Sequence, residues 1–319
     1  MNGQEKLRWG VIGCGRVFPY YAQTLVHHPE TQLTAICDRD EGLAIEAMGE
    51  YGPVAWFSDY RAMLDRDDVD IVAVCTRGAD HEAIVTDALG AGKLVLCETP
   101  LRCDPPTGDA ARRFGVALPL RYDPAVRAVK KGIEAGAYGE VSIVSIKVGS
   151  NCDGLLVGAL DLMNWVIGTP KSIQPLPAGA DGAVAKAPID PGGMAPTIQS
   201  WVALYDTKPL AFINIADDPG FGCLVNLVGD GAAAWAHEGT LLIVSQDGAA
   251  PEFRPPDEKD GPWLMSIYVR MISDFNSCAL HGREFWVGSD WVIEAQRLAN
   301  EAGFAYTNSA GGGTDPEPE

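Results

Sequence analysis

Over the first 120 residues, short apolar runs alternate with segments of helical periodicity. An apolar run at Leu7–Ile12 leads into Gly13-Cys14-Gly15, and apolar residues at three- and four-residue spacing follow. This order predicts a strand, a tight turn and a helix. Further strands and helices are predicted in alternation at residues 40–51, 54–57, 58–65, 70–76, 81–91, 93–97 and 116–120, with Ser58 as an N-cap. The alternation predicts an α/β domain with a doubly wound parallel sheet.

Beyond residue 120 the pattern changes to longer strands joined by turns, with few helices. Strands are predicted at residues 140–149, 198–205, 209–215, 223–228 and 240–244, and helices at residues 124–136, 154–167, 263–280 and 289–302. Strands joined by turns predict a mostly antiparallel sheet. We therefore predict one domain at residues 1–120, a second at 121–309, and a flexible tail at 310–319 whose composition is typical of disorder.

The first turn has the features of a dinucleotide-binding loop. Gly13 and Gly15 permit a tight turn and let backbone N–H groups approach a pyrophosphate, although Phe18 replaces the last glycine of the usual motif. Asp38 follows the second strand at the spacing of an acidic residue that binds ribose hydroxyls. The N-terminal domain is therefore predicted to be a Rossmann domain. Asp38 favours NAD, because its carboxylate repels a 2′-phosphate, but the guanidinium of Arg39 leaves NADP as the alternative.

Composition narrows the class of protein. A chain of 319 residues with 47% hydrophobic residues is long enough for about two domains with their own cores. The net charge of −19 disfavours binding to nucleic acid or to an anionic membrane. Without an apolar stretch of about 18 residues or a signal segment, a cytoplasmic protein is expected. The eight cysteines form no C-x-x-C pair or Cys/His cluster, so we predict reduced structural thiols and no metal site.

The chain resembles the Gfo/Idh/MocA family of NAD(P)-dependent oxidoreductases over nearly its whole length. The matching segments are residues 11–17, His81, 88–98, 100–101, 121–124, 165–168, Phe275 and 288–290. The resemblance implies an N-terminal Rossmann domain and a second α/β domain whose large open sheet covers the active site. Together with the turn and strand ends described above, it predicts cofactor contacts from Gly13, Gly15, Arg16, Val17, Asp38, Arg39, Thr76, His81, Glu98 and Thr99.

Two catalytic positions of the family are substituted in this chain. Members usually carry Glu-Lys-Pro where this chain has Glu98-Thr99-Pro100, and that lysine hydrogen-bonds the substrate hydroxyl beside the nicotinamide. Members also carry a helix-borne histidine as proton acceptor, and its position falls on Gly158. A positioned acid or base contributes about 10²–10⁴ in rate. Either other groups move the proton, or the reaction needs little proton transfer, or there is no turnover.

Three other side chains are candidates for the missing chemistry, and each has a structural alternative. Tyr122 is a possible proton donor, or its ring packs in the domain hinge. Lys147 is a possible positive charge on the sheet face, or a solvated strand lysine. Asp161 lies on the former catalytic helix, either facing the cofactor or bonding only at the helix surface. None of the five histidines stands out as the base.

Two functional hypotheses follow. The first is an NAD-dependent oxidoreductase that acts on a sugar, a sugar nucleotide or a related polyhydroxylated substrate through a non-standard acid or base. The alternative is a catalytically silent family member that binds nucleotide or sugar and regulates or scaffolds a partner. Self-association is common in the family, so we expect a homo-oligomer with a small sugar-like ligand and no nucleic acid or membrane partner.

Overall fold

The computed structural model describes residues 6–52, 55–101, 104, 106–149, 155–176, 198–216, 222–257, 261–283, 285 and 289–301. The predicted tail at 310–319 lies outside these residues. So do the predicted helix start at Gly154 and the predicted strand start at Val54.

The first half of the chain forms a six-stranded parallel sheet. Its strands are β1 Leu7–Ile12, β2 Thr31–Cys37, β3 Ala55–Phe57, β4 Ile71–Val74, β5 Leu94–Cys97 and β6 Phe114–Val116, in the order β3-β2-β1-β4-β5-β6. In β1, Val11 lies between Ile36 of β2 and Ala73 of β4, and all three are fully buried. Continuous apolar runs form these strands because helices cover both faces of the sheet. The predicted doubly wound sheet is confirmed.

Helices connect these strands, mostly where they are predicted. They are α1 Phe18–His27, α2 Glu41–Tyr51, α3 Tyr60–Leu64 and α4 His81–Gly90, and α5 Pro124–Glu134 follows the sheet. Asp59, and not Ser58, caps α3, because the Asp59 carboxylate accepts the N–H of Arg61 at 3.0 Å. The last strand ends four residues earlier than predicted, and Pro119–Tyr122 forms a 3₁₀ turn. Proline lacks the N–H that a strand ladder requires.

The second half forms an eight-stranded sheet that is mostly antiparallel, as predicted. Its elements are β7 Val141–Gly149, α6 Leu155–Ile167, β8 Ser172–Pro175, β9 Ile198–Leu204, β10 Leu210–Ala216, β11 Cys223–Gly229, β12 Ala232–His237, β13 Thr240–Ser245 and β14 Glu252–Arg254. The strand order is β14-β13-β12-β11-β7-β10-β9-β8, and only β7 and β10 pair in parallel.

Three strands of this sheet, β8, β12 and β14, were not predicted. Strand β12 reads AAAWAH and is rich in alanine, which favours helices. A turn at Asp230 nevertheless brings β12 beside β11, where Ala234 pairs with Leu227. Small side chains then alternate between buried and exposed positions, so tertiary pairing overrides the local preference.

The two faces of the large sheet differ. Val144, Ile146 and Val148 point to one face and are buried, and α6 packs against β7 and β10. The opposite face, here called the open face, carries large apolar side chains that remain exposed: Ile143, Leu210, Val228, Trp235 and Phe253.

Two C-terminal helices, α7 Trp263–His281 and α8 Ser289–Glu301, return to the first half of the chain. Helix α7 packs on α1, and α8 contacts β6. The indole N–H of Trp9 donates to the Asn276 side-chain oxygen at 3.1 Å, and the Trp9 and Phe275 rings lie 5.6 Å apart. The domain boundary at residue 120 stays a prediction, but the second half of the chain supplies part of the packing of the first. Within the described ranges, no helix is long and apolar enough to cross a bilayer.

Candidate functional site

A cleft of about 1250 Å³ lies at the carboxyl ends of β1, β2, β4 and β5. Strand ends of a doubly wound sheet are where ligands bind. Val148 and Gly149 of the large sheet, with parts of α6 and α7, form the opposite wall. Nine of the ten predicted cofactor residues line this cleft: Gly13, Gly15, Arg16, Val17, Asp38, Arg39, Thr76, Glu98 and Thr99.

The two glycines of the first turn have different steric surroundings. Gly13 has φ of +99°, and a Cβ there would lie 2.7 Å from the carbonyl carbon of Cys75. Any side chain would therefore collide with backbone at the end of β4. A Cβ on Gly15 would meet no heavy atom within 4 Å, so the backbone there is open to the cleft. Open backbone before the N-terminus of α1 fits a pyrophosphate cradle.

Asp38 is held in place by backbone donors. Its Oδ2 accepts the N–H of Cys14 at 2.7 Å, and its Oδ1 accepts the N–H of Asp40 at 2.9 Å. These bonds fix the carboxylate at the end of β2, beside the glycine turn. This position fits an acceptor for ribose hydroxyls.

The guanidinium of Arg39 pairs with a carboxylate across the same part of the cleft. Its Nη2 lies 3.0 Å from Oδ2 of Asp80, although the Arg39 side chain is 77% exposed. Asp38, Asp40 and Asp59 also line this region. Arg61 and Arg77 line it as well, so charges of both signs are present. The pairing of Arg39 with Asp80 is what opposes an added phosphate, because that guanidinium already has a carboxylate partner.

His81 does not line the cleft. It is fully buried, and its Nε2 lies 2.9 Å from the backbone oxygen of Thr76. The predicted role near the cofactor is therefore indirect, because His81 supports the cleft wall from behind. The buried Thr76 hydroxyl has no hydrogen-bond partner among the described residues, which fits a contact with a bound molecule.

Glu98 is a buried carboxyl group bonded to two tyrosines. Its Oε1 accepts the hydroxyls of Tyr21 at 2.8 Å and Tyr268 at 3.3 Å. Burial raises the pKa of Glu98 to about 7, although the tyrosine hydrogen bonds partly oppose the rise. Tyr268 lines the cleft, and its ring stacks on Tyr20 at a centroid distance of 5.1 Å. Tyr268 was not predicted, because α7 lies far from β5 in sequence. Tyr20 lies on α1 and was missed because helical periodicity does not indicate its contact with α7.

The two substituted positions, Thr99 and Gly158, both line the cleft. A Cβ on Gly158 would meet no heavy atom within 4 Å. The position to which the resemblance assigns a histidine is therefore open space. A threonine hydroxyl and a glycine supply no group that titrates near neutral pH.

Asp161 faces the cleft, but its carboxylate is bound by Arg121. The Arg121 Nε lies 2.7 Å from Asp161 Oδ2, Nη2 contacts Oδ1, and both side chains are 1% exposed. Burial raises the pKa of Asp161, and the guanidinium opposes that rise. A carboxylate held by two charge-assisted hydrogen bonds is a structural partner and a poor proton acceptor. These contacts favour the structural alternative for Asp161, and its catalytic role stays a prediction.

The positions of Tyr122 and Lys147 also favour their structural alternatives, and their catalytic roles stay predictions. The Tyr122 hydroxyl donates to Asp274 Oδ2 at 2.8 Å, outside the cleft, which fits the hinge-packing alternative. Val148, the neighbour of Lys147 in β7, lines the cleft. Side chains alternate along a strand, so Lys147 points to the open face.

Asp123 holds residues of the cleft wall that the second half of the chain provides, and it was missed as a site residue. Its Oδ1 caps α5 through the N–H of Ala125 at 2.7 Å. Its Oδ2 accepts the Trp263 indole N–H at 2.6 Å and the Gly239 N–H at 3.0 Å. Trp263 and Glu238 line the cleft. The Asp-Pro pair indicates only the helix cap, because the other two donors lie over 100 residues away.

Replacing Glu98 with glutamine tests the raised pKa. The pKa of about 7 in the folded protein exceeds the ordinary 4.5, so folding favours the protonated form. This contribution to stability is fully present below pH 4.5 and is lost as the pH rises through about 7. Over that pH range, we expect the free energy of unfolding of the native protein to fall by about 3 kcal/mol more than the free energy of unfolding of the Glu98→Gln variant. Urea unfolding at about pH 5 and about pH 8 measures this difference, and parallel profiles would contradict it.

The chain is similar in sequence to a known family model and to curated proteins. Residues 7–113 match the GFO_IDH_MocA model, described as an oxidoreductase family with an NAD-binding Rossmann fold. The chain is 29% identical over 148 residues to inositol 2-dehydrogenase of Rhizobium meliloti (strain 1021), which covers 44% of each chain. It spans about half the length of the curated relatives it matches.

Solved structures share the fold over almost the whole chain. An oxidoreductase from Agrobacterium radiobacter, in complex with NAD+, L-tartaric acid and magnesium, matches with a TM-score of 0.74 and 16% identity, covering 95% of this chain and 97% of that one. The WlbA dehydrogenase from Bordetella pertussis, in complex with NADH and UDP-GlcNAcA, matches with a TM-score of 0.66 and 16% identity, covering 94% and 95%. Over residues 7–113, the chain therefore resembles the NAD-binding Rossmann domain of the Gfo/Idh/MocA oxidoreductase family.

Proposed function

We propose that this protein is an NAD-dependent oxidoreductase that acts on a sugar, a sugar nucleotide or a related polyhydroxylated compound. The observation that carries the proposal is that Gly15, Asp38 and Glu98 line one cleft, whose opposite wall includes residues of the eight-stranded sheet. The names of the relatives support it, since one is an inositol dehydrogenase and another was solved with NADH and a UDP-sugar.

The described residues fit a bound dinucleotide. The open backbone at Gly15 suits the pyrophosphate, Asp38 suits the ribose hydroxyls, and Glu98 and Thr99 mark the nicotinamide side. NAD is favoured over NADP, because the Asp38 carboxylate repels a 2′-phosphate and Arg39 is paired with Asp80. When bound, NAD supplies the hydride acceptor of the reaction.

The remaining chemistry is proton transfer, and we assign it to Tyr268 and Glu98. Tyr268 lines the cleft, and its hydroxyl lies 3.3 Å from Oε1 of Glu98. Burial raises the pKa of the Glu98 carboxyl group to about 7. As hydride leaves the substrate carbon, the substrate hydroxyl passes its proton to the Tyr268 oxygen, and the Tyr268 proton passes to Glu98. A pKa near the working pH is what general base catalysis favours.

The alternative is a catalytically silent protein that binds nucleotide or sugar and regulates or scaffolds a partner. Thr99 and the open space at Gly158 favour it, because neither position moves a proton. In that case the Tyr268–Glu98 pair is only part of the core. Turnover decides between the two functions.

The proposal also places the protein in the cytoplasm, which is a reducing compartment. The six cysteines in the described part of the chain are buried, and none of them forms a disulfide there. Burial raises the pKa of Cys14 and of Cys37 to about 12, which keeps both as thiols. Unoxidised thiols are typical of cytosolic proteins.

Cofactor binding is tested first with Asp38→Asn. The amide keeps an acceptor for the Cys14 N–H but loses the charge that ribose hydroxyls bind. We expect native protein to bind NADH at millimolar concentration or below, and the variant to bind about tenfold more weakly. Fluorescence titration measures both, with Asp206→Asn as the control of equal charge change, because Asp206 is an exposed residue outside the cleft. No binding of NADH or NAD to the native protein at millimolar concentration would refute the proposal.

The proton route is tested with Tyr268→Phe and Glu98→Gln. A panel of sugars, polyols and sugar nucleotides identifies a substrate through NADH formation. On that substrate each variant should lose kcat by about 10²-fold or more, and Glu98→Gln should also lose the limb of the pH profile near pH 7. Tyr20→Phe is the control, since it also removes a tyrosine hydroxyl but keeps the stacking of that ring on Tyr268. NADH binding without hydride exchange on any substrate would support the silent alternative and exclude this route.

Self-association through the open face belongs to the same proposal. Phe253 is 63% exposed and Trp235 is 36% exposed on that face, and contiguous apolar area of this kind marks interfaces. We expect the native protein to be a homo-oligomer by light scattering at micromolar concentration. Trp235→Glu combined with Phe253→Glu should shift it towards monomer. The control Ile45→Glu, on exposed α2, should not. A monomeric native protein would contradict the expectation.

A further inference from the structure

The second half of the chain contributes a carboxylate to the cleft wall, Glu238, which the proposed proton route does not use. Glu238 lies in the two-residue turn between β12 and β13, and it lines the cleft. Its Oε1 accepts the N–H of Gly222 at 3.0 Å. This bond holds the carboxylate against the wall, and the side chain, which is 35% exposed, remains accessible to a molecule in the cleft.

The backbone of Glu238 adopts a conformation that glutamate seldom takes. Its φ is +47°, and φ of Gly239, the other residue of the turn, is +81°. Positive φ at both central residues is typical of a type I′ hairpin turn, whose first position is usually asparagine, aspartate or glycine. The turn itself therefore does not require a glutamate. Unusual backbone conformations of this kind cluster at ligand sites, and this one places a carboxylate in the cleft.

An aromatic ring lies beside this carboxylate. A Cβ on Gly222 would collide with Oε1 of Glu238 and with the Trp263 ring, so both side chains pack against the same glycine. The Trp263 N–H donates to Oδ2 of Asp123 at 2.6 Å, which fixes the ring, and Trp263 also lines the cleft. A ring and a carboxylate side by side offer an apolar surface to the C–H groups of a sugar and an acceptor to its hydroxyls.

The charges that line the cleft are distributed unequally between its two sides. The four arginines among the described lining residues all belong to the first half of the chain: Arg16, Arg39, Arg61 and Arg77. Among the described lining residues from 117 onwards, the charged side chains are Asp161 and Glu238. Asp161 is paired with Arg121. A basic group close to Glu238 is His237, whose Nε2 lies 3.8 Å from Oε1 and which is charged only when protonated.

This distribution favours one class of ligand on the second wall. A negative group brought beside Glu238 would be repelled, because like charges in a cleft of reduced dielectric oppose binding. A hydroxyl group would instead donate a hydrogen bond to the carboxylate. Such a combination of attraction for one ligand and repulsion of another is how a site becomes specific.

We propose that Glu238 selects the substrate: it accepts a hydrogen bond from a hydroxyl group of a sugar or polyol whose ring carries no acid group, and it disfavours sugar acids and sugar phosphates. The inference rests on the proposed function, in which a sugar-like substrate enters this cleft, and it narrows the class of that substrate.

Matched pairs of a neutral hexose and the corresponding hexuronate test the selection: glucose with glucuronate, galactose with galacturonate, and mannose with mannuronate. Calorimetric titration in the presence of NADH measures binding without turnover, and kcat/KM with NAD measures the reaction. Both are measured at about pH 8, where a histidine side chain is ordinarily neutral. For the pair that binds best, we expect the native protein to bind the neutral hexose at least about tenfold more tightly than the hexuronate.

Two variants assign this preference to the carboxylate. Glu238→Gln keeps an acceptor for the Gly222 N–H but has no charge, so the preference for the neutral hexose should fall about tenfold, with tighter binding of the hexuronate. Glu238→Asn should act in the same direction, and asparagine suits this position of the turn. The control Glu134→Gln removes the same charge from an exposed pair with Lys130, outside the cleft, and should leave the preference unchanged.

Four outcomes would overturn the proposal. They are a hexuronate that binds the native protein as tightly as its neutral hexose, a preference that both Glu238 variants leave unchanged, an equal change in Glu134→Gln, and no binding or turnover of any hexose. Failure of the proposed function has a different signature. Binding with the expected preference but without NADH formation would support selection by Glu238 and would assign the cleft to the catalytically silent alternative.

Discussion

The geometry of the cleft depends on three consecutive residues, Arg121, Tyr122 and Asp123, whose side chains bond in three directions. Arg121 binds Asp161 on the cleft floor, Tyr122 binds Asp274 of α7, and Asp123 holds Trp263 at the cleft rim. All three are at most 2% exposed. Removing one partner of a buried ion pair costs about 3–5 kcal/mol, since the other charge is left without compensation. One short turn therefore fixes the large sheet and α7 relative to the Rossmann half.

The same constraint separates the two buried carboxyl groups of the cleft. Asp161 is bound at both oxygens by a guanidinium, whereas Glu98 has only tyrosine hydroxyls as side-chain partners in the described structure. A neighbouring cation favours the ionised form, and burial without a cation favours the neutral form. The two groups therefore have different properties. Asp161 forms a structural ion pair with Arg121, whereas the pKa of Glu98 is raised to about 7, where a carboxyl group can both accept and release a proton.

Local signals in the sequence predicted the parallel sheet, the glycine turn and Asp38, because each depends on residues close together in the chain. Signals that depend on distant partners were missed. Tyr268 and Glu98 are 170 positions apart, and Trp263 and Asp123 are 140 apart. The periodicity of a helix or strand does not indicate contacts between residues that lie so far apart in the sequence. The alanine-rich β12 was missed for a related reason, since the neighbouring strand determines its conformation.

The contrast between the glycine turn, which has the expected motif, and the substituted position Gly158 has a steric explanation. A side chain at Gly13 would collide with backbone at the end of β4, so the fold itself requires glycine there. At Gly158 a Cβ would meet no heavy atom within 4 Å, so packing at that point does not require glycine. A substitution there can therefore change the chemistry of the cleft without a collision in the fold. Under the proposed function, the proton acceptor that the family resemblance assigns to this position is replaced by groups that the fold already buries, Tyr268 and Glu98.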